Sequence, residues 1–352
     1  MRKKSLDLLK RMLESPSPSG YEQPVQKLWR EYTEHFAAVR TDTHGNVIGT
    51  VNPEGSPRLM FAGHCDEIGF MIRYIDDKGF LYFGPIGGFD QGIIPGRRVN
   101  IHNAKGIVPG VIGKTPVHLI KADDRKKASE IDDLWIDIGA HDKKDAESLV
   151  SIGDPVTYRY DFMELRKNIV VARAFDDRIG SFIVAEALRE LAGDTTIKAS
   201  VHAVSTVQEE IGLRGARTSA FGIEPDVAIA TDVTFATDQP GVDAKRVGDV
   251  KLGGGPVIAR GPNINPHVFD LLVRTAKKLK IPFQIEGIPR ASGTDANIIQ
   301  ISRAGVATGI VSIPLRYMHT PVETLDLGDV EKAVKLLAGF ARELRPGMTF
   351  IP

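Results

Sequence analysis

Apolar positions near the start of the chain recur at helical intervals. Residues 6–13 form one such run, and Ser15-Pro16-Ser17-Pro18 closes it because proline cannot continue a helix. Ser19-Gly20-Tyr21-Glu22 has capping-box spacing, and Val25, Leu28, Trp29, Tyr32 and Phe36 then share one face of a second helix. His44-Gly45-Asn46, between Val39 and Val51, predicts a hairpin turn. Residues 69–160 change character. Short β-branched and aromatic runs at 70–75, 80–83, 98–101, 107–112 and 155–160 alternate with glycine and proline turns. Only 126–133 and 142–149 suit short helices, and the polar stretch 121–129 predicts an exposed loop. From Asn168 the pattern becomes strand–helix alternation. Strands are expected at 169–175, 199–207, 227–231, 282–288 and 306–313, and helices at 178–191, 267–279, 295–304 and 328–344. That alternation predicts an α/β fold, a mostly parallel sheet covered by helices. Residues 58–62 would join the same sheet. The domains expected are thus 1–68 with 165–352, interrupted by a β-rich insert at 69–164.

Composition narrows the class. The chain has 352 residues, enough for about two domains. Lys+Arg and Asp+Glu stand at 45 each, so nothing in the charge points to nucleic acid or an anionic membrane as partner. No apolar run approaches the roughly 18 residues of a membrane span. The basic start is broken by Asp7, Lys10 and Arg11 and makes a poor signal peptide. A single cysteine, Cys65, excludes an intrachain disulfide and a thiolate cage. A cytoplasmic enzyme is the expectation.

The candidate chemistry lies at strand ends. His64 follows 58–62, Asp176 and Asp177 follow 169–175, and Glu209 and Glu210 follow 199–207. Asp232 follows 227–231, and His319 follows 306–313 by a short loop. In an open α/β sheet the carboxyl edge is where ligands bind. Two imidazoles with several carboxylates and no thiol suit zinc, cobalt or manganese. Two adjacent ions need a shared carboxylate and open positions for water and substrate. A further carboxylate then takes the proton from the water. Glu209 and Glu210 can supply one ligand and one base, since neighbours in extended chain point different ways. Asp66 is placed to hold His64 by its second ring nitrogen. Singly, each residue has a plainer reading: a satisfied polar histidine, a helix N-cap pair at Asp176-Asp177, a solvated turn at Glu209-Glu210. Their joint placement favours a metal site.

The segments Ala62-Gly63-His64-Cys65-Asp66-Glu67-Ile68-Gly69, Ala174-Phe175-Asp176-Asp177-Arg178, Val207-Gln208-Glu209-Glu210-Ile211-Gly212, Ala230-Thr231-Asp232-Val233-Thr234 and His319-Thr320-Pro321-Val322-Glu323 resemble the tetrahedral aminopeptidases. These are di-metal exopeptidases with glutamyl, leucyl and deblocking members, some carrying endoglucanase names. The resemblance runs in order along essentially the whole chain. It implies a phosphorylase/hydrolase-like catalytic domain with two divalent ions, zinc or cobalt, acting on short peptides. By the same resemblance Asp176 bridges the ions, His64 and Asp232 complete one site, and Glu210 and His319 the other. Glu209 becomes the general base and Asp66 the partner of His64. The resemblance further implies that the insert is a barrel-like dimerisation domain and that dimers assemble into a dodecamer. Cys65 stands where relatives carry an apolar residue, and an inert buried cysteine is expected there. A deacylase or carboxypeptidase with the same metal chemistry is the main alternative. A glycosidase would need only a carboxyl pair, and a retired scaffold would not keep ligands and base together. Asp295, Arg316 and residues 253–266 are candidate contributors to side-chain preference, each with a plain structural loop as the alternative reading.

Overall fold

The computed structural model describes residues 1–120 and 129–352. Of the polar loop expected at 121–129, all but Ser129 lies outside the described residues, and the described part of 126–133 holds only a 3-10 turn, Ile131–Asp133. Helices α1 (Lys3–Glu14) and α2 (Gln23–Thr33) precede strands β1 (Ala38–Thr41), β2 (Val47–Val51) and β3 (Arg58–His64). The chain then departs into β4 (Gly69–Ile75), β5 (Leu81–Ile86), β6 (Arg98–Asn103), β7 (Gly106–Gly113), β8 (Trp135–Asp137), α3 (Lys143–Leu149) and β9 (Pro155–Tyr158). It returns through β10 (Met163–Glu164), β11 (Ile169–Ala172), α4 (Phe175–Leu191), β12 (Ser200–Thr206), α5 (Arg214–Ile223) and β13 (Val227–Phe235). The remainder is α6 (Ala244–Val247), β14 (Val257–Arg260), α7 (Pro266–Lys278), β15 (Gln284–Gly287), α8 (Ala296–Ile299), β16 (Ala307–Leu315), β17 (Glu323–Asp326) and α9 (Leu327–Glu343).

The main sheet has the order β1-β2-β12-β3-β13-β16-β14-β15. Its centre, β12-β3-β13-β16, is parallel throughout, and β2 and β14 join it antiparallel. Those central strands are buried along nearly their whole length because helices cover both faces. On one face α4 is buried all round, its Ile179, Phe182, Ile183 and Leu188 packed into the large core. It lies close on β3: a Cβ on Gly63 would overlap the Gly180–Ser181 backbone. On the other face Met60, Val204 and Ala228 pack with Ala216 and Ala220 of α5 and Ile299 of α8. The β-rich segment closes into a barrel, β4-β5-β8-β7-β6-β9, around Phe70, Phe83 and Tyr158. Among the described residues no helix is long and apolar enough to cross a membrane.

Three expectations need correction, the simplest being the helix expected at 295–304, which is confined to Ala296–Ile299. The run at 169–175 does not join the main sheet. Only Ile169–Ala172 is strand, and it pairs antiparallel with β10 and β17 in a separate three-stranded sheet. An apolar run predicts a strand but not its partner. Ser19 and Glu22 do not form a capping box either: α2 has no side-chain cap, Ser19 donates to Asp66, and the Glu22 carboxylate accepts from the Gly20 and Gln208 amides. Both residues serve the loops around the cleft instead.

Candidate active site

The carboxyl edge of the parallel strands opens into a cavity of about 630 Å³. Its floor is made by His64, Asp176, Glu209, Glu210, Asp232 and His319, the residues the sequence singles out. His64 ends β3, beside Thr206 at the end of β12, and Asp232 lies on β13, one strand further across. Glu209 and Glu210 follow β12 in a turn opened by Gln208, whose φ is 56°. They diverge through that turn, not through extended chain. His319 (φ 61°) follows β16, and Asp176 arrives from the small sheet at the head of α4.

Asp176 is the centre of the arrangement. Its Oδ1 is 3.4 Å from His64 Nε2 and its Oδ2 is 3.2 Å from His319 Nε2. Glu209 Oε2 lies 3.6 Å from His64 Nε2, and Glu210 Oε1 lies 3.5 Å from His319 Nε2. Donor atoms of His64, Asp176 and Glu210 fall within 4.8 Å of one another, as do those of His64, Glu209 and Asp232. Asp177 stands apart from this set. Its carboxylate accepts from the backbone amides of His64 and Gly180 and so ties β3 to α4.

Both imidazoles are oriented from behind. His64 Nδ1 is 3.2 Å from the Asp66 carbonyl and 3.4 Å from its Oδ1. The Asp66 carboxylate also accepts from Ser19 Oγ at 2.7 Å and from the Glu209 and Glu210 amides at 3.0 and 3.1 Å. Burial works against its ionisation, but His64, Ser19 and the Glu209 amide outweigh that and hold it below the usual carboxylate range. His319 Nδ1 donates to the Gly88 carbonyl of the barrel at 3.0 Å. A carbonyl can only accept, so Nε2 is left facing Asp176 and Glu210. Sequence reasoning gave no role to Glu323. Its two oxygens accept from the Asp176 amide at 3.0 Å and the His319 amide at 2.9 Å, so one side chain positions both. It reaches them because β17 pairs with β11, placing Glu323 opposite Ala172.

Electrostatically the floor is short of positive charge. Burial and then neighbouring acids push Glu210 up to about 8 and Asp232 up to about 7. Burial also pushes Glu209 up to about 10, with Asp232, Asp295 and Glu210 adding to the rise against His64. Glu210 Oε1 is buried and makes no hydrogen bond within the protein. Convergent oxygens and imidazole nitrogens in a set starved of positive charge fit a divalent cation. Cys65 takes no part: it is fully buried in the core and burial raises its thiol.

The residues expected to set side-chain preference lie elsewhere. Asp295 is buried behind the floor and accepts from Thr206 Oγ1 at 2.6 Å. Arg316 is paired with Asp238, and the loop from Gly253 donates its Gly253 and Gly255 amides to Asp329. The side wall is built instead from Val233–Phe235, Arg246, Val247 and the segment from Glu286 to Thr294.

Comparison with known proteins agrees with this picture. The pattern of the M42 glutamyl aminopeptidase family matches residues 45–336. A lysyl aminopeptidase of Pyrococcus furiosus is 40% identical over 350 residues, covering 98% of this chain and 99% of its own. The crystal structure of a TET aminopeptidase from a marine sediment Thaumarchaeota archaeon superposes with a TM-score of 0.93 at 35% identity, covering 97% of each chain. The TET1 peptidase of Pyrococcus horikoshii, which can assemble into a tetrahedron or a large octahedral shell, has a TM-score of 0.87 at 36% identity, covering 97% of this chain and all of its own. The likeness embraces sheet, barrel and cleft together, and the chain belongs to the M42 glutamyl aminopeptidase family of metal-dependent peptide hydrolases.

Proposed function

We propose that the chain removes N-terminal residues from short peptides with two divalent ions, zinc or cobalt. His64, Asp176 and Asp232 would hold one ion, and Asp176, Glu210 and His319 the other. The observation that carries this reading is the Asp176 carboxylate, whose two oxygens face two different imidazoles at 3.4 and 3.2 Å. Ions bound there supply polarisation of the scissile carbonyl and lower the pKa of the attacking water. Glu209 takes the proton from that water and returns it to the leaving amine. Asp66 and the Gly88 carbonyl fix the two rings so that each presents Nε2 to the cleft. The cleft argues against a glycosidase: Phe235 is the lone aromatic among its described lining residues, too little for a sugar platform. Exposed Ile107, Val111, Leu119 and Ile152 on the insert support homo-oligomerisation through the barrel, as a dimer or as a dodecamer.

The test is hydrolysis of aminoacyl anilides by chelator-stripped protein before and after adding zinc or cobalt, alongside Glu209→Gln. Metal-restored cleavage of free-amine substrates is expected, with Glu209→Gln losing at least about a hundredfold in kcat at wild-type metal content. Cleavage confined to N-acylated substrates would establish the deacylase alternative. Loss of metal in Glu209→Gln would make Glu209 a ligand and not the base.

A further inference from the structure

We infer that Glu286 selects peptides whose first residue carries a cationic side chain. The inference rests on the aminopeptidase reading above and adds the substrate class. Outside the floor, the charged residues lining the cleft are Glu286, Arg246 and Arg290. The two arginines are exposed, and neither guanidinium has an acid partner among the described residues. Glu286 differs. It is half-buried, shares the cavity wall with Phe235, Val247 and Ile288, and its Oε2 accepts from Thr234 Oγ1 at 2.8 Å. No cation pairs with it among the described residues, and burial pushes its carboxyl up.

Distance along β13 fits the same reading. Thr234 is two residues beyond Asp232, so both side chains leave the same face of the strand. At about 3.3 Å per residue the carboxylate held by Thr234 sits roughly 7 Å beyond the floor. A lysyl or arginyl side chain spans about that length and carries its charge at the end. A residue bound with its scissile bond at the floor therefore reaches Glu286 with its charged tip while its methylenes cover the apolar wall. An acidic first residue would meet Glu286 as a like charge, and a leucyl residue would cover the carboxylate without bringing a cation to it.

The experiment measures kcat/KM of the metal-loaded enzyme for lysyl, arginyl, leucyl and glutamyl anilides, in wild type, Glu286→Gln and Thr234→Val. The wild type is expected to prefer the lysyl and arginyl substrates. Glu286→Gln should lower the lysyl-to-leucyl ratio about tenfold to a hundredfold. Thr234→Val leaves the carboxylate but frees it, and should lower the ratio by a smaller factor, chiefly through KM. An unchanged ratio in both variants, or a wild type that prefers the glutamyl substrate, would overturn the inference and leave the aminopeptidase standing. No turnover of any anilide by the loaded wild type would overturn the aminopeptidase reading and the inference with it.

Discussion

Asp66→Asn is the most informative single change, because Asp66 only accepts. Donors reach its carboxylate from Ser19 and from the Glu209 and Glu210 amides, and His64 Nδ1 faces it. An amide in its place must aim an NH2 at one pair of them. Replacing Oδ1 would confront the Glu209 amide and the His64 ring, neither of which can turn round. Replacing Oδ2 is milder, since the Ser19 hydroxyl can rotate to accept, but the Glu210 amide is then buried without a partner. That leaves a cost of about 1–3 kcal/mol, to which the loss of the charge on the surviving bonds adds. The strain falls on the turn that carries both glutamates and on the ring of His64. Metal affinity should drop about 10- to 100-fold, read by chelator competition. Saturating metal should restore occupancy but not the full kcat, because Glu209 hangs from the same carboxylate. Wild-type affinity and kcat in the variant would refute the role given to Asp66.

Other predictions follow from the packing around the cleft. Burial, with Asp66 adding to it, lifts Glu22 to about 7. A raised carboxyl contributes stability below its unfolded value and loses it as pH rises through the folded one. Glu22→Gln keeps an acceptor for the Gly20 and Gln208 amides without the charge, so its Tm gain over wild type should grow between pH 5 and 8. A gap that stays constant across that range would contradict the assignment. Gly63→Ala should destabilise by at least about 2 kcal/mol, since neither β3 nor the α4 backbone it meets can yield cheaply; denaturant unfolding would show it, and a wild-type midpoint would not fit this packing.

Much of the floor was legible in the sequence because strand ends of a parallel sheet must meet at one edge. His64, Glu209 and Glu210, Asp232 and His319 need only that rule, and the structure brings them together in one cavity. Asp176 reached the same edge by another route, since its strand belongs to the small sheet. Glu323 was out of reach for the same reason: its role depends on β17 pairing with β11, and the apolar pattern does not say which strands pair. The Gly88 carbonyl has no side-chain signature at all. Asp295, Arg316 and the 253–266 loop do not line the cavity, and the sequence alone could not separate them from residues that do, because polar loop residues near a sheet edge look alike. Burial and pairing separate them, sending Asp295 behind the floor and Arg316 to Asp238.

The barrel contributes to the geometry of the floor. Glu67, where the chain leaves the main sheet, pairs with Arg173 and Arg178, where it comes back. Arg178 also donates to the Met12 and Leu13 carbonyls and to Ser17, so the departure, the return and α1 are held in one buried cluster. Breaking one partner of such a cluster leaves an uncompensated buried charge, which is far more costly than the net worth of the pair. The cluster thereby fixes how the barrel sits against the floor, and this sets where the Gly88 carbonyl meets His319. The ring of His319 is oriented wholly from outside the parallel strands, its imidazole by the barrel and its amide by Glu323 of the small sheet. A floor built mainly on one sheet thus depends on two others for the direction of a single nitrogen.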